Sequence, residues 1–213
     1  EKEGYRVVRL STRGGELDLS AAEPYLDSSL FMVTAMLVNN ETGARYRVEE
    51  LFRMAHEKNP RCLCHCDATQ AFLKVPFSCD TLGADLLTVS AHKIGGPKGV
   101  GALALSRAVL SGKSLSPVLF GGGQEGGLRS GTENTVGIAG FAAAATAGAA
   151  TFRADVEHMR ALSKKLIAGL AGTEIRANRP PVCAPHIVSL TMPDIKSETL
   201  LHYLSRAGHA VFS

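Results

Sequence analysis

Ser28-Ser29-Leu30-Phe31-Met32-Val33-Thr34-Ala35-Met36-Leu37-Val38 decides the fold class. The apolar run sits between the polar pairs Ser28-Ser29 and Asn39-Asn40. A strand with one wet face alternates apolar and polar residues; this one does not. Near-continuous apolar character marks a strand covered on both faces, as in a parallel sheet. Outward from it, Val48 to Lys58 carries apolar residues at Val48, Leu51, Phe52 and Ala55, a helical spacing. Arg61 to Cys66 and Leu86 to Ser90 read as further strands, and Gly101 to Leu105 is a fourth apolar stretch. This β-α-β rhythm predicts an α/β fold, a mostly parallel sheet with flanking helices. Tyr5 to Leu10 also reads as a strand. A Gly-rich loop spans Gly121 to Gly131, and a long helical region runs from Thr135 to about Leu170. His186 to Met192 then reads as a strand and Ser197 to Ala207 as a helix. Residues 1–150 are expected to form a large domain, and 151–213 to begin a smaller α+β C-terminal domain.

The chain has 213 residues, 45% of them hydrophobic and 20% charged, an ordinary globular balance. A net charge of +3 gives no reason to expect nucleic acid or an anionic membrane as a partner. No uninterrupted apolar run reaches the roughly 18 residues of a membrane span. Five Cys are an odd number for a disulfide scaffold and fit a reducing compartment, with the cytoplasm expected. The chain lacks a starting Met, and Ala210-Val211-Phe212-Ser213 reads as a strand broken off. A piece of a longer protein is the expectation.

Several groups of residues could carry chemistry. Ser90-Ala91-His92-Lys93 is followed by a turn rich in Gly, Gly95-Gly96-Pro97-Lys98-Gly99. In open α/β sheets ligands sit outside the carboxyl ends of the strands. Lys93 would stand there, where a neutral amine can form a Schiff base; a plain surface Lys is the alternative. Asp67, in His65-Cys66-Asp67-Ala68-Thr69-Gln70, falls at another strand end. A carboxylate there suits a protonated pyridine nitrogen, the arrangement by which pyridoxal phosphate is tuned. It also suits the cap of a short helix. Asn39 and Asn40 can bond a ligand or simply form a turn. The Gly121–Gly131 loop with Arg129 can hold a phosphate or be merely flexible. Cys62-Leu63-Cys64-His65-Cys66 invites a zinc reading. In a strand, however, its three Cys point to one face and His65 to the other, so no metal ligand is assigned.

Taken together and in order, Asn39-Asn40-Glu41-Thr42-Gly43, the Asp67 segment, the Lys93 segment and Arg129-Ser130-Gly131-Thr132 strongly resemble the NifS-like cysteine desulfurases. These belong to the class V aminotransferases, with the fold-type I pyridoxal phosphate (PLP) architecture. The resemblance implies Lys93 as the Schiff-base lysine, Asp67 on the pyridinium nitrogen and Gln70 on the ring hydroxyl. It implies Asn40 at the cofactor and substrate carboxylate, Ser90 and His92 on the phosphate, and Thr132 on the phosphate of the other subunit of a homodimer. The implied reaction takes sulfur from L-cysteine: a cysteine thiolate attacks the substrate sulfur, alanine leaves, and the persulfide serves a sulfur-acceptor protein in iron–sulfur cluster assembly or thiolation. The family's phosphate-cup loop and ring-stacking His precede the region matched here, and its nucleophilic Cys and substrate-clamping Arg follow it. No Cys of this chain matches that nucleophile, and Gly126 stands where the family often has a basic residue. The chain alone is therefore expected to be inactive. Selenocysteine lyase and other class V members share the same lysine core and are the alternatives within PLP chemistry. A dimerising fragment without cofactor and a metal module on Cys62, Cys64 and Cys66 are the readings from other classes.

Overall fold

The computed structural model describes residues 4–112 and 115–209. The strand expected at 210–213 lies outside the described residues. Tyr5 to Leu10 is irregular rather than a strand. No strand among the described residues pairs with it, and a strand needs a partner for its N–H and C=O groups. The segment is held instead by side chains, with Tyr5 stacked on Phe31 at 5.3 Å between ring centroids.

A small hairpin follows, β1 (Thr12–Arg13) and β2 (Glu16–Leu17). Its two-residue turn needs positive φ at both positions, which Gly14 and Gly15 supply at 60° and 84°. Helix α1 (Leu19–Ala22) is capped by the Asp18 carboxylate, which accepts from the Ala21 amide. The main sheet comprises β3 (Met32–Met36), β4 (Leu63–Asp67), β5 (Leu86–Ser90) and β6 (Gly101–Leu105), in that spatial order. Helix α2 (Val48–Lys58) joins β3 to β4, and the short α3 (Cys79–Leu82) precedes β5. The first three strands are parallel and β6 is antiparallel to β5. The β-α-β rhythm thus holds as far as β5 and then stops. Only Ala91 to Val100 separates β5 from β6, too short for the crossover that parallel pairing requires.

Helix α4 (Arg107–Ser111) and the continuous helix α5 (Thr135–Gly169) follow. The division expected near residue 150 falls within α5. A second hairpin pairs β7 (Arg176–Asn178) with β8 (Ser189–Thr191), and α6 (Ser197–Arg206) comes last. The strand expected over His186–Met192 is limited to β8.

The sheet's two faces differ, and the difference positions the site. On one face Val33, Cys64, Cys66, Leu87 and Val89 are buried together with Val48, Leu51, Phe52 and Ala55 of α2. The acidic first turn of α2 (Glu49, Glu50) and its basic last turn (His56, Lys58) complement the helix dipole. The opposite face carries Thr34, His65 and Thr88 of three adjacent strands, linked through the His65 ring.

By length and apolar composition α5 suffices to cross a membrane, although no unbroken apolar run announces it. In this fold it packs against the turn that carries Lys93. A Cβ on Gly140 would meet Pro97 Cγ at 2.7 Å, and one on Gly148 would meet Leu73 Cδ1 at 2.7 Å. Glycine permits that closeness. Elsewhere α5 keeps apolar side chains outward, with Val136 83% exposed.

Candidate active site

Three of the segments singled out in the sequence arrive at one edge of the sheet because parallel strands end together. β3 runs into Asn39-Asn40, β4 ends at Asp67, and β5 ends at Ser90 with Lys93 in the helical turn Ala91–Ile94. The register pairs Met36 with Asp67 and Asp67 with Thr88. Side chains paired in register share a face and alternate along a strand. Asp67, Thr88 and Ser90 therefore share the face opposite the buried thiols. His65 lies one step before Asp67 on that face. It is bonded to Thr34 Oγ1 at 2.7 Å through Nδ1 and to Thr88 Oγ1 at 2.8 Å through Nε2. Burial lowers the His65 pKa, and the neighbouring Asp67 opposes that shift. A neutral imidazole held between two hydroxyls is a rigid floor beneath Asp67.

Asp67 is half-buried, and its Oδ1 accepts the Thr69 amide at 2.9 Å. The turn-capping alternative is thus real for one oxygen. No cation pairs with Asp67 among the described residues, so the carboxylate keeps acceptor capacity for a positively charged group. Gln70 is half-buried in the turn after it. Lys93 and His92 are exposed at the mouth of the sheet, not lodged in an apolar pocket. His92 Nδ1 is 2.7 Å from Ser90 Oγ. Asn39 closes its own turn, with Oδ1 accepting the amides of Glu41 and Thr42 at 2.9 Å each. Asn40 is the exposed member of the pair, its Nδ2 donating to Glu41 Oε1 at 2.6 Å. Thr132 and Arg129 stay on the exposed 119–134 loop, where the Arg129 guanidinium donates to Ser130 O at 2.8 Å. The structure provides no contact between Thr132 and the strand-end residues.

These donors fit PLP by their chemistry. An accessible amine, an unpaired carboxylate set on a rigid floor, and a hydroxyl–imidazole pair beside the amine match an aldehyde, a pyridinium and a phosphate respectively.

The three strand thiols are not candidate nucleophiles. Burial raises the pKa of all three, with that of Cys66 pushed up to about 12. They remain protonated thiols at neutral pH and pack as small apolar groups. Cys183 lies on a loop with its sulfur 2.8 Å from Arg179 Nη2.

One residue near the site escaped the sequence reading. The Pro-rich segment before β8 packs on the Asn39–Gly43 turn, with the Ala184 amide donating to Gly43 O at 2.8 Å. This brings His186 inside, with both ring nitrogens buried and unpartnered. Burial, with the positive charges of Lys74 and Lys93, lowers its pKa from 6.5 to about 4. Between those values the unfolded chain binds more protons than the folded one, so stability falls as pH drops from about 6.5 to about 4. Urea midpoints measured across this window are expected to fall toward acid, and to fall less steeply in a His186→Asn variant. Equal slopes in both proteins would refute the assignment. Only a Pro-flanked His in the segment signalled it, and nothing in the spacing placed it beside Lys93.

Residues 1–213 match the family described as Aminotransferase class-V. The chain belongs to that family. It is 36% identical over 218 residues to a cysteine desulfurase of Klebsiella pneumoniae, covering 100% of this chain and 53% of that protein. It is 44% identical over 146 residues to a cysteine desulfurase of Trichormus azollae, covering 68% of this chain and 35% of that one. A solved structure described as a NifS-like protein superposes with a TM-score of 0.94 at 36% identity, covering 100% of this chain and 57% of that chain. This likeness bears out the fold-type I architecture. The chain spans about half the length of the K. pneumoniae relative.

Proposed function

We propose that this chain is the lysine-bearing part of a PLP-dependent cysteine desulfurase that acts on L-cysteine. The observation that carries the reading is the convergence of Asn40, Asp67, Ser90 and Lys93 at the carboxyl edge of one sheet. The names of the relatives support the same reading. In it Lys93 holds the cofactor's aldehyde carbon, Asp67 holds its ring nitrogen protonated, and Gln70 bonds the ring hydroxyl. Ser90 and His92 bind the phosphate, and Asn40 orients the substrate carboxylate. When bound, the cofactor supplies an electron sink for the bonds at the substrate's α-carbon. The sulfur goes to an enzyme thiol contributed by the rest of the protein, and from there to an acceptor protein.

A homodimer belongs to the proposal. Val118, Phe120 and Val136, exposed by 89%, 82% and 83%, surround the loop that carries Thr132. Such a patch favours a partner surface, across which Thr132 reaches the second subunit's phosphate. Five free thiols are consistent with a reducing compartment, and the cytoplasm is the proposed location.

The test is a reductive trap. The protein is incubated with PLP, reduced with borohydride and digested, and the modified lysine is located by mass. One dominant adduct at Lys93 is expected. Labelling scattered over the other lysines would overturn the reading.

A further inference from the structure

At the opposite edge of the sheet, away from Lys93, three elements bring together a set of ligand atoms that no stretch of sequence displays. His56 comes from the last turn of α2, Cys64 from the second position of β4, and Asp85 from the residue before β5. A His56 ring nitrogen, Cys64 Sγ and an Asp85 oxygen all lie within 4.8 Å of one another. The His56 and Asp85 side chains are 32% and 19% exposed, while Cys64 is fully buried behind them. In front of His56 a cleft is lined by Glu49, Glu50, Glu57 and Asp80, with Arg53 as its cation. Three of the four carboxylates pair with arginines, Glu49 with Arg45 at 3.8 Å, Glu50 with Arg47 and Glu57 with Arg53 at 2.5 Å, which leaves Asp80 as the carboxylate without an ion pair among the described residues.

We propose that His56, Cys64 and Asp85 form a binding site for one zinc ion or a similar borderline transition-metal ion. One nitrogen, one sulfur and one oxygen are a donor set zinc accepts, at bond lengths of about 2.0–2.3 Å in a tetrahedron. Such bonds place the donors roughly 3–4 Å apart, so the set must contract by about 1 Å. The fourth position takes a water. The cleft in front of the part-exposed His56 is the entry path. The metal-free state keeps the set closed by hydrogen bonds: His56 Nε2 lies 3.2 Å from Asp85 Oδ2 and 3.1 Å from Cys62 O. Asp85 Oδ2 also accepts the Cys64 amide at 2.9 Å.

Binding balances as follows. The Cys64 S–H bond breaks, a sulfur–zinc bond forms, and the proton goes to solvent. The His56 ring gives the Nε2 lone pair to the metal. The thiol proton therefore leaves on binding, without redox change. The site is remote from the PLP edge and stands or falls independently of the proposed reaction.

The experiment titrates the purified protein with Zn²⁺ against a chromophoric chelator, and separately with Co²⁺. One equivalent is expected, with proton release on binding and a near-ultraviolet thiolate-to-cobalt band. Cys64→Ala and His56→Gln should each lose the band and weaken binding by at least about 100-fold, the upper end of what losing a mere outer-shell partner costs. Cys79→Ala and Cys183→Ala should keep both. Absence of the band, no proton release in the unmutated protein, or a band surviving Cys64→Ala would overturn the proposal. The first two readouts use the unmutated chain, so a variant that fails to fold does not protect it. If they fail, His56 and Asp85 serve only as a strap tying α2 to the sheet.

Discussion

Replacing Lys93 with alanine is expected to remove the borohydride-trapped adduct and to lower cysteine turnover by the complete enzyme by about 10²–10⁴-fold or more, the range associated with losing a positioned general acid–base group. The expectation is large because Lys93 carries two tasks in the proposed reaction. Its amine would hold the cofactor, and the same amine would serve as a proton-transfer group at the substrate's α-carbon. Stability should scarcely change. Lys93 is exposed, and surface substitutions usually lie within about 0.5 kcal/mol. The two readouts therefore separate: turnover collapses while the urea midpoint stays. Turnover within tenfold of the unmutated enzyme, or an adduct that moves intact to Lys98 or Lys74, would mean that another amine does this work. Added small primary amines offer a control. Partial recovery of turnover with the Lys93→Ala protein ties the loss to the missing amine rather than to a disturbed turn.

The main sheet was legible because its signals are local. The apolar run ending at Val38, the helical spacing of Val48, Leu51, Phe52 and Ala55, and the span Leu86–Ser90 each reflect which sides of a short segment meet the core. The strand ends were legible for the same reason, since strand direction alone places Asp67 and Ser90 at one edge. The direction of β6 was not. Its apolar stretch fits either orientation, and only the shortness of Ala91–Val100 forces it to turn back. Tyr5 to Leu10 has the composition of a strand, but pairing depends on a partner that composition cannot report. The membrane-length character of α5 was hidden because its apolarity is spread through alanines and glycines. His186 and the His56–Cys64–Asp85 set were invisible for a further reason. Their members are brought together by packing between distant segments, and no spacing rule encodes that. The Cys62–Cys66 run shows the converse. Its zinc-like appearance comes from proximity in sequence, whereas alternation along β4 sends His65 to the other face and leaves Cys64 to find its neighbours on α2 and before β5.

Replacing Phe52 with alanine is expected to cost about 3–5 kcal/mol, the usual range for emptying a buried aromatic site. Phe52 has no exposed surface and is the largest fully buried side chain of the core. It lies on the inner face of α2, in the cluster that contains Cys64 and Cys66 of β4 and Val33 of β3. Those neighbours are strand residues with little freedom to collapse into the void, which favours the upper part of the range. A domain is stable by only about 5–15 kcal/mol in all, so this one change removes a large share. The urea midpoint should fall steeply with the slope unchanged, whereas Arg53→Ala, on the exposed side of the same helix, should shift it little. A loss below about 1 kcal/mol for Phe52→Ala would mean that α2 does not anchor the sheet as described, because surface changes reach about half that size. The consequence extends to function. β3 and β4 carry Asn40 and Asp67 at their ends, and α2 is the element that fixes those strands from behind. At denaturant concentrations where the unmutated protein is still folded, the Phe52→Ala protein should therefore lose selective labelling of Lys93 in step with its unfolding, although Phe52 lies on the face of the sheet opposite Asp67.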